Sequence, residues 1–153
     1  MTTKLFLLAA AVAVAVPGIA QAGQCPAGNS GIDLRPENKI AAKGVTDTVL
    51  TTIDVANEPA AIAGRSFRMR RLVIQPGGVV PWHSHAERPA IIYVVQGTVT
   101  EYASSCSVPI IHRAGEATPE LHNTAHWWKN TGKGAAILIS SDLLKVGEDG
   151  HMM

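Results

Sequence analysis

The sequence has almost no surplus of charge. Thirteen Lys and Arg stand against twelve Asp and Glu, a formal net charge of +1. Lys4 lies in the opening segment, so the remainder is balanced. Such a chain offers no electrostatic footprint for nucleic acid or for an anionic membrane surface. Arg65, Arg68, Arg70 and Arg71 do cluster. However, Arg68 and Arg70 alternate with Phe67 and Met69, the spacing of a strand with a solvated outer face. Past the opening segment no stretch reads as a long helix, and no repeat points to a solenoid. The apolar run at residues 5–16 is shorter than the roughly 20 residues a spanning helix needs, and Pro17-Gly18 closes it. Cysteine is scarce: Cys25 and Cys106 allow one bridge at most.

What is present begins with an export pattern. The apolar run follows Lys4 and precedes Ala20-Gln21-Ala22, small residues that fit the A-x-A cleavage site of a secretory signal peptide. Residues 1–22 are therefore expected to be removed on export to a periplasm or the exterior, with no membrane attachment afterwards. The rest is long enough for one domain with its own core. In an exported chain, Cys25 and Cys106 are expected to pair. The bridge would tie the N-terminal arm to the loop after Tyr102 and contribute about 4 kcal/mol on a chain-entropy account. The alternatives are two free thiols, or lipid attachment at Cys25, where Gln24 stands in place of the small residue a lipoprotein signal wants.

Residues 23–45 are rich in Gly, Pro, Asn and Asp and read as an irregular arm. From residue 46 the texture changes. TDTVLTTIDV, SFRMRRLVIQ, VVPWHSH, AIIYVVQ, TVTEYAS, SVPIIHR, TAHWWKN and AAILISSDLL follow one another, mostly separated by glycine or proline, with a turn expected at Pro76-Gly77-Gly78. Many short strands at close spacing predict an all-β antiparallel sandwich or barrel over residues 46–144. Residues 145–153 read as an exposed tail, although His151, Met152 and Met153 carry donors that suit copper.

In a strand, residues i and i+2 share a face. His83 and His85 therefore project together, close enough to share a metal ion, as two histidines on a surface strand also do by chance. His126, in TAHWWKN, offers a third imidazole, while His122 precedes it in a loop. Trp82, Tyr93 and Trp128 are expected to line a pocket beside these histidines, although such rings serve equally well as core. Glu101 alternates inward with Val99. It reads as a base or ligand in the barrel, or as a strand carboxylate facing water or an arginine. His112 reads as a surface or structural histidine.

These residues resemble the two cupin motifs. Gly77, five residues, His83-Ser84-His85 and a later Gly97 are similar to the first. Gly115, ten residues, His126, three residues and Asn130 are similar to the second. The resemblance covers residues 66–144. It implies a double-stranded β-helix, a jelly-roll barrel, with a divalent transition metal held in its mouth by His83, His85 and His126. Imidazole ligands leave the identity among Fe, Zn, Mn, Ni and Cu open. The chain departs from the pattern in two ways. The motif glutamate is replaced by Ala90, and the proline and glycine of the second motif by Leu121 and Asn123. Three outcomes are open: a three-histidine site, a replacement ligand or acid–base group from Glu87, Glu101 or His122, or a barrel without metal. Dioxygenases, isomerases and decarboxylases are the range the resemblance implies. The expected function is metal-dependent oxygen chemistry on a small organic molecule by an exported cupin. The alternative is a non-catalytic module of the cell envelope that binds a small ligand or a metal. A homodimer paired through the strand at residues 46–55 is also expected.

Overall fold

The computed structural model describes residues 24–37 and 39–147. The expected leader and the His151-Met152-Met153 tail lie outside them. Among the described residues there is no helix. Eight strands succeed one another: β1 (Lys43–Asp54), β2 (Arg65–Ser84), β3 (Ala90–Gln96), β4 (Thr98–Ala103), β5 (Ile110–Arg113), β6 (Ala117–Glu120), β7 (Ala125–Lys129) and β8 (Ala136–Lys145). All pair antiparallel in one sheet of order β5-β4-β7-β2-β8-β3-β6, with β1 added on β2. The sheet curls until the β5–β6 turn meets β3, where Val94 and Glu116, and Gly115 and Val94, exchange backbone hydrogen bonds of 3.0 and 2.9 Å. This is the jelly-roll barrel that the strand pattern and the motifs imply.

β2 organises the barrel. Its first half lies between β1 and β8, and its last residues pair with β7. The turn expected at Pro76-Gly77-Gly78 is instead a bend within this one strand, where it changes partner. A Cβ at Gly78 would sit 2.8 Å from Gln75 O and 2.9 Å from Gly44 O, so only glycine lets the backbones approach there. Asn130 pins the same corner: its buried amide donates to Ile74 O and Gly134 O, both at 2.8 Å, and its oxygen accepts from Gly132 N–H. Gly97, in the left-handed region at φ +81°, makes the β3–β4 turn against Ala135 and Ala136.

The interior has two layers. Leu72, Ile74, Val80, Ile92, Val94, Val99, Trp128, Ala136 and Leu138 form an apolar layer. One step along the same strands, the inward positions turn polar: Arg68 and Arg70 on β2, Glu101 on β4, Thr118 and Glu120 on β6, Ser140 and Asp142 on β8, all buried. This reverses the expected orientation of β2. Period two counted back from buried Leu72 and Ile74 puts Arg68 and Arg70 inside, and Phe67 and Met69 outside at 41% and 37% exposure. The two guanidinium groups are tolerated because each meets a carboxylate, as buried charges must. Arg68 grips Asp142 with two bonds of 3.0 and 2.7 Å. Arg70 bonds Asp142 at 3.2 Å, Asp47 at 2.5 Å and Ser140 at 3.2 Å. Arg88 approaches Asp142 at 3.6 Å.

The arm is fastened to the barrel. Cys25 and Cys106 form the expected disulfide, Ser30 bridges Cys106, and Leu34 O accepts from the Trp127 indole at 3.2 Å.

Candidate metal centre

His83 and His126 are register partners on β2 and β7, and His85 follows two residues on along β2. The ladder therefore delivers the three rings to one point. Their Nε2 atoms form a triangle with sides of 3.0 Å (His83–His126), 3.1 Å (His83–His85) and 3.2 Å (His85–His126). The three side chains form a group that could hold a metal ion.

The opposite nitrogen of each ring fixes its tautomer. His83 Nδ1 faces Pro81 O at 2.8 Å, and His85 Nδ1 faces Arg88 O at 2.9 Å. A carbonyl only accepts, so both Nδ1 atoms carry the proton. His126 Nδ1 meets Glu101 Oε1 at 2.6 Å, and an ionised carboxylate likewise only accepts. Burial alone would raise the Glu101 carboxyl, but hydrogen bonds from His112 and His126 outweigh it and hold the group at about 2. Three Nε2 lone pairs are thus aimed at one another. Burial, reinforced by the neighbouring His126, pushes His83 well below its usual value and His85 down to about 4. Sharing a proton between rings is therefore unfavourable, and a cation is the partner that relieves the repulsion. The spacing fits the group: nitrogens about 2.0–2.1 Å from one ion, at angles between square and tetrahedral, lie about 2.8–3.4 Å apart.

Behind the triad stands a relay. Glu101 Oε2 accepts from His112 Nε2 at 2.8 Å. The His112 ring stacks on Trp128 with centroids 4.5 Å apart, and Trp128 stands edge-to-face with the His126 ring, its Nε1 3.2 Å from both ring nitrogens. Glu101 therefore faces neither water nor an arginine, and His112 is no surface residue; both sit in the wall behind His126. Such a carboxylate–histidine pair orients a ligand ring and raises its basicity.

Other expected residues stand elsewhere. Glu87 is exposed and pairs with Arg65 at 3.5 Å. His122 is exposed in the β6–β7 turn. Tyr93 points out of the barrel at 44% exposure, because alternation in β3 turns Ile92 and Val94 inward, so it lines no interior pocket. Trp82 is half-buried beneath the Arg35 guanidinium, 4.6 Å from its ring centre. Trp128 does adjoin the triad. Sequence reasoning missed Glu120, whose Oε2 lies 3.4 Å from His126 Nδ1. Burial, with the Glu101 charge beside it, holds the Glu120 carboxyl well above its usual value. In the fold β6 points Thr118 and Glu120 inward, but the strand is four residues long and too polar for that alternation to show in the sequence.

The molecule is thus a double-stranded β-helix with three imidazoles converging inside it. Residues 70–142 match the Cupin_2 family model, described as a cupin domain; together with the fold, this supports placement in the cupin superfamily. Germin-like protein 8-14 of Oryza sativa subsp. japonica is 29% identical over 107 residues, 65% of this chain and 50% of that protein. The chain spans about half the length of this curated relative. A double-stranded β-helix protein of Klebsiella pneumoniae superposes with a TM-score of 0.55 at 15% identity, over 76% of this chain and 87% of that one. An oxalate oxidase in complex with the substrate analogue glycolate gives a TM-score of 0.50 at 23% identity, over 76% of this chain and 59% of that one. At these identities the two solved structures speak to the fold.

Proposed function

We propose that this chain is an exported cupin that holds one divalent transition metal through His83, His85 and His126 and carries out oxygen chemistry on a small organic molecule. The observation that carries the proposal is the triangle of Nε2 atoms, each left with its lone pair by the partner of its Nδ1. A metal bound there would act as a Lewis acid and present open coordination positions to substrate and oxygen. The chain's own residues do the rest. Pro81 O and Arg88 O hold two rings in place, and Glu101 with His112 holds the third. Trp128 closes the wall behind His126 and keeps bulk water from that side. Export is supported by the Cys25–Cys106 disulfide, a bond that persists in oxidising compartments. The edge strand β1, paired among the described residues only with β2, is the segment through which a homodimer would form.

Ala90, standing where the motif has its glutamate, favours a second reading, a module that binds metal or a small ligand without turnover. Oxygen uptake separates the two. Untagged, metal-loaded protein is assayed with small acids (oxalate and glycolate among them), diketones, thiols and phenols, beside His126→Ala. Substrate-dependent uptake lost in the variant supports the enzyme. Stoichiometric metal with no uptake across the panel supports the binding module.

A further inference from the structure

The carboxylate missing at position 90 has a counterpart across the sheet. Ala90 opens β3 and has an inward-facing acid as register partner on each side: Glu120 on β6 and Asp142 on β8. All three residues are buried, at 7%, 1% and 1% exposure. Asp142 is engaged by Arg68, Arg70 and Arg88. Glu101, the third buried acid nearby, has one oxygen on His126 and the other on His112. Glu120 is different. Its Oε2 lies 3.4 Å from His126 Nδ1, on the Glu101 side of that ring, and its Oε1 is buried with no hydrogen-bond partner. An unpaired polar atom at such depth is uncommon in folded proteins and calls for an explanation.

Resting on the three-histidine reading above, we propose that Glu120 is the fourth protein ligand of the metal, reaching from β6 into the position that a glutamate at residue 90 would occupy from β3. Directly opposed residues on neighbouring strands hold their Cβ atoms about 4.5–5.5 Å apart, a gap that a glutamate side chain spans by changing rotamer. The Ala90 methyl leaves that path open. Three neutral imidazoles bring no charge to a divalent ion, and Glu120, giving up its proton to solvent as the ion binds, would add one negative charge beside it. The donor set then matches the motif's three histidines and one glutamate, with the acid moved across one rung of the ladder.

The test is Co²⁺ binding by chelator competition, with the visible spectrum of the bound ion, on untagged full-length protein. Four forms are compared: wild type, Glu120→Gln, the exchange Ala90→Glu with Glu120→Ala, and Glu87→Gln as an exposed-acid control. Melting of each metal-free form verifies that it is folded. Glu120→Gln is expected to weaken Co²⁺ binding by about 10- to 100-fold or more and to change the spectrum. The exchange is expected to restore affinity to within a few-fold of wild type, and Glu87→Gln to leave it unchanged. Wild-type affinity and spectrum in Glu120→Gln would overturn the assignment. So would weakened binding with an unchanged spectrum and no recovery in the exchange, which would make Glu120 a positioning residue. Failure of the wild type itself to bind Co²⁺ would overturn the three-histidine reading, a result distinct from the other two.

Discussion

Replacing Glu101 with glutamine tests the wall behind the triad. The carboxylate accepts two short hydrogen bonds, from His126 at 2.6 Å and from His112 at 2.8 Å, and is almost fully buried. A carboxyl held at about 2 instead of 4.5 corresponds to about 3 kcal/mol of folded-state stability near neutral pH, at about 1.36 kcal/mol per pKa unit. Glutamine keeps one acceptor and turns an amide toward the other imidazole, so about 2–3 kcal/mol should be lost. The sign with pH is fixed. A depressed carboxyl contributes fully above its unfolded value near 4.5, and the contribution disappears as pH falls through about 2. Chemical denaturation of metal-free wild type and Glu101→Gln should therefore show a constant gap from neutral pH down to about pH 5, narrowing below it. Because the same bond orients His126, the variant should also bind metal about 10- to 100-fold more weakly. Equal stability near neutral pH, or a gap that does not narrow in acid, would refute the assignment of an ionised carboxylate shared by two imidazoles.

Asp142→Asn removes the common anion of Arg68, Arg70 and Arg88; stranding buried charge should cost about 3–5 kcal/mol, read as a lower denaturation midpoint of the folded variant. Reduction of Cys25–Cys106, which spans 81 residues of sequence, should lower stability by about 4 kcal/mol, measured by melting with and without reductant. Burial keeps His83 and His85 neutral, so the unfolded chain binds more protons below about pH 6.5. Metal-free stability should be complete above that pH and fall toward pH 4; a flat denaturation midpoint across this window would contradict buried neutral rings.

The parts of the site legible in the sequence obey short-range rules. His83 and His85 share a face because a strand has period two, and His126, Gly97 and Asn130 stand at motif spacing. The parts that were not legible depend on partners distant in the chain. Arg68 and Arg70 look like a solvated face until Asp142, 74 and 72 residues away, is brought beside them. AIIYVVQ is apolar in both phases, so nothing local indicates that Tyr93 faces outward. Glu120 ends a four-residue strand, ATPE, too short and too polar to show alternation. Its meaning comes from its register with Ala90, which no spacing along the chain encodes.

The central claim is that three imidazoles converge to hold a metal ion, and elemental analysis of untagged protein tests it most directly. About one transition-metal ion per chain in the wild type, lost on His126→Ala and on His83→Ala with the barrel still folded, is the predicted result. Equal metal content in the wild type and these variants, or none in any of them after exposure to the candidate ions, would contradict it.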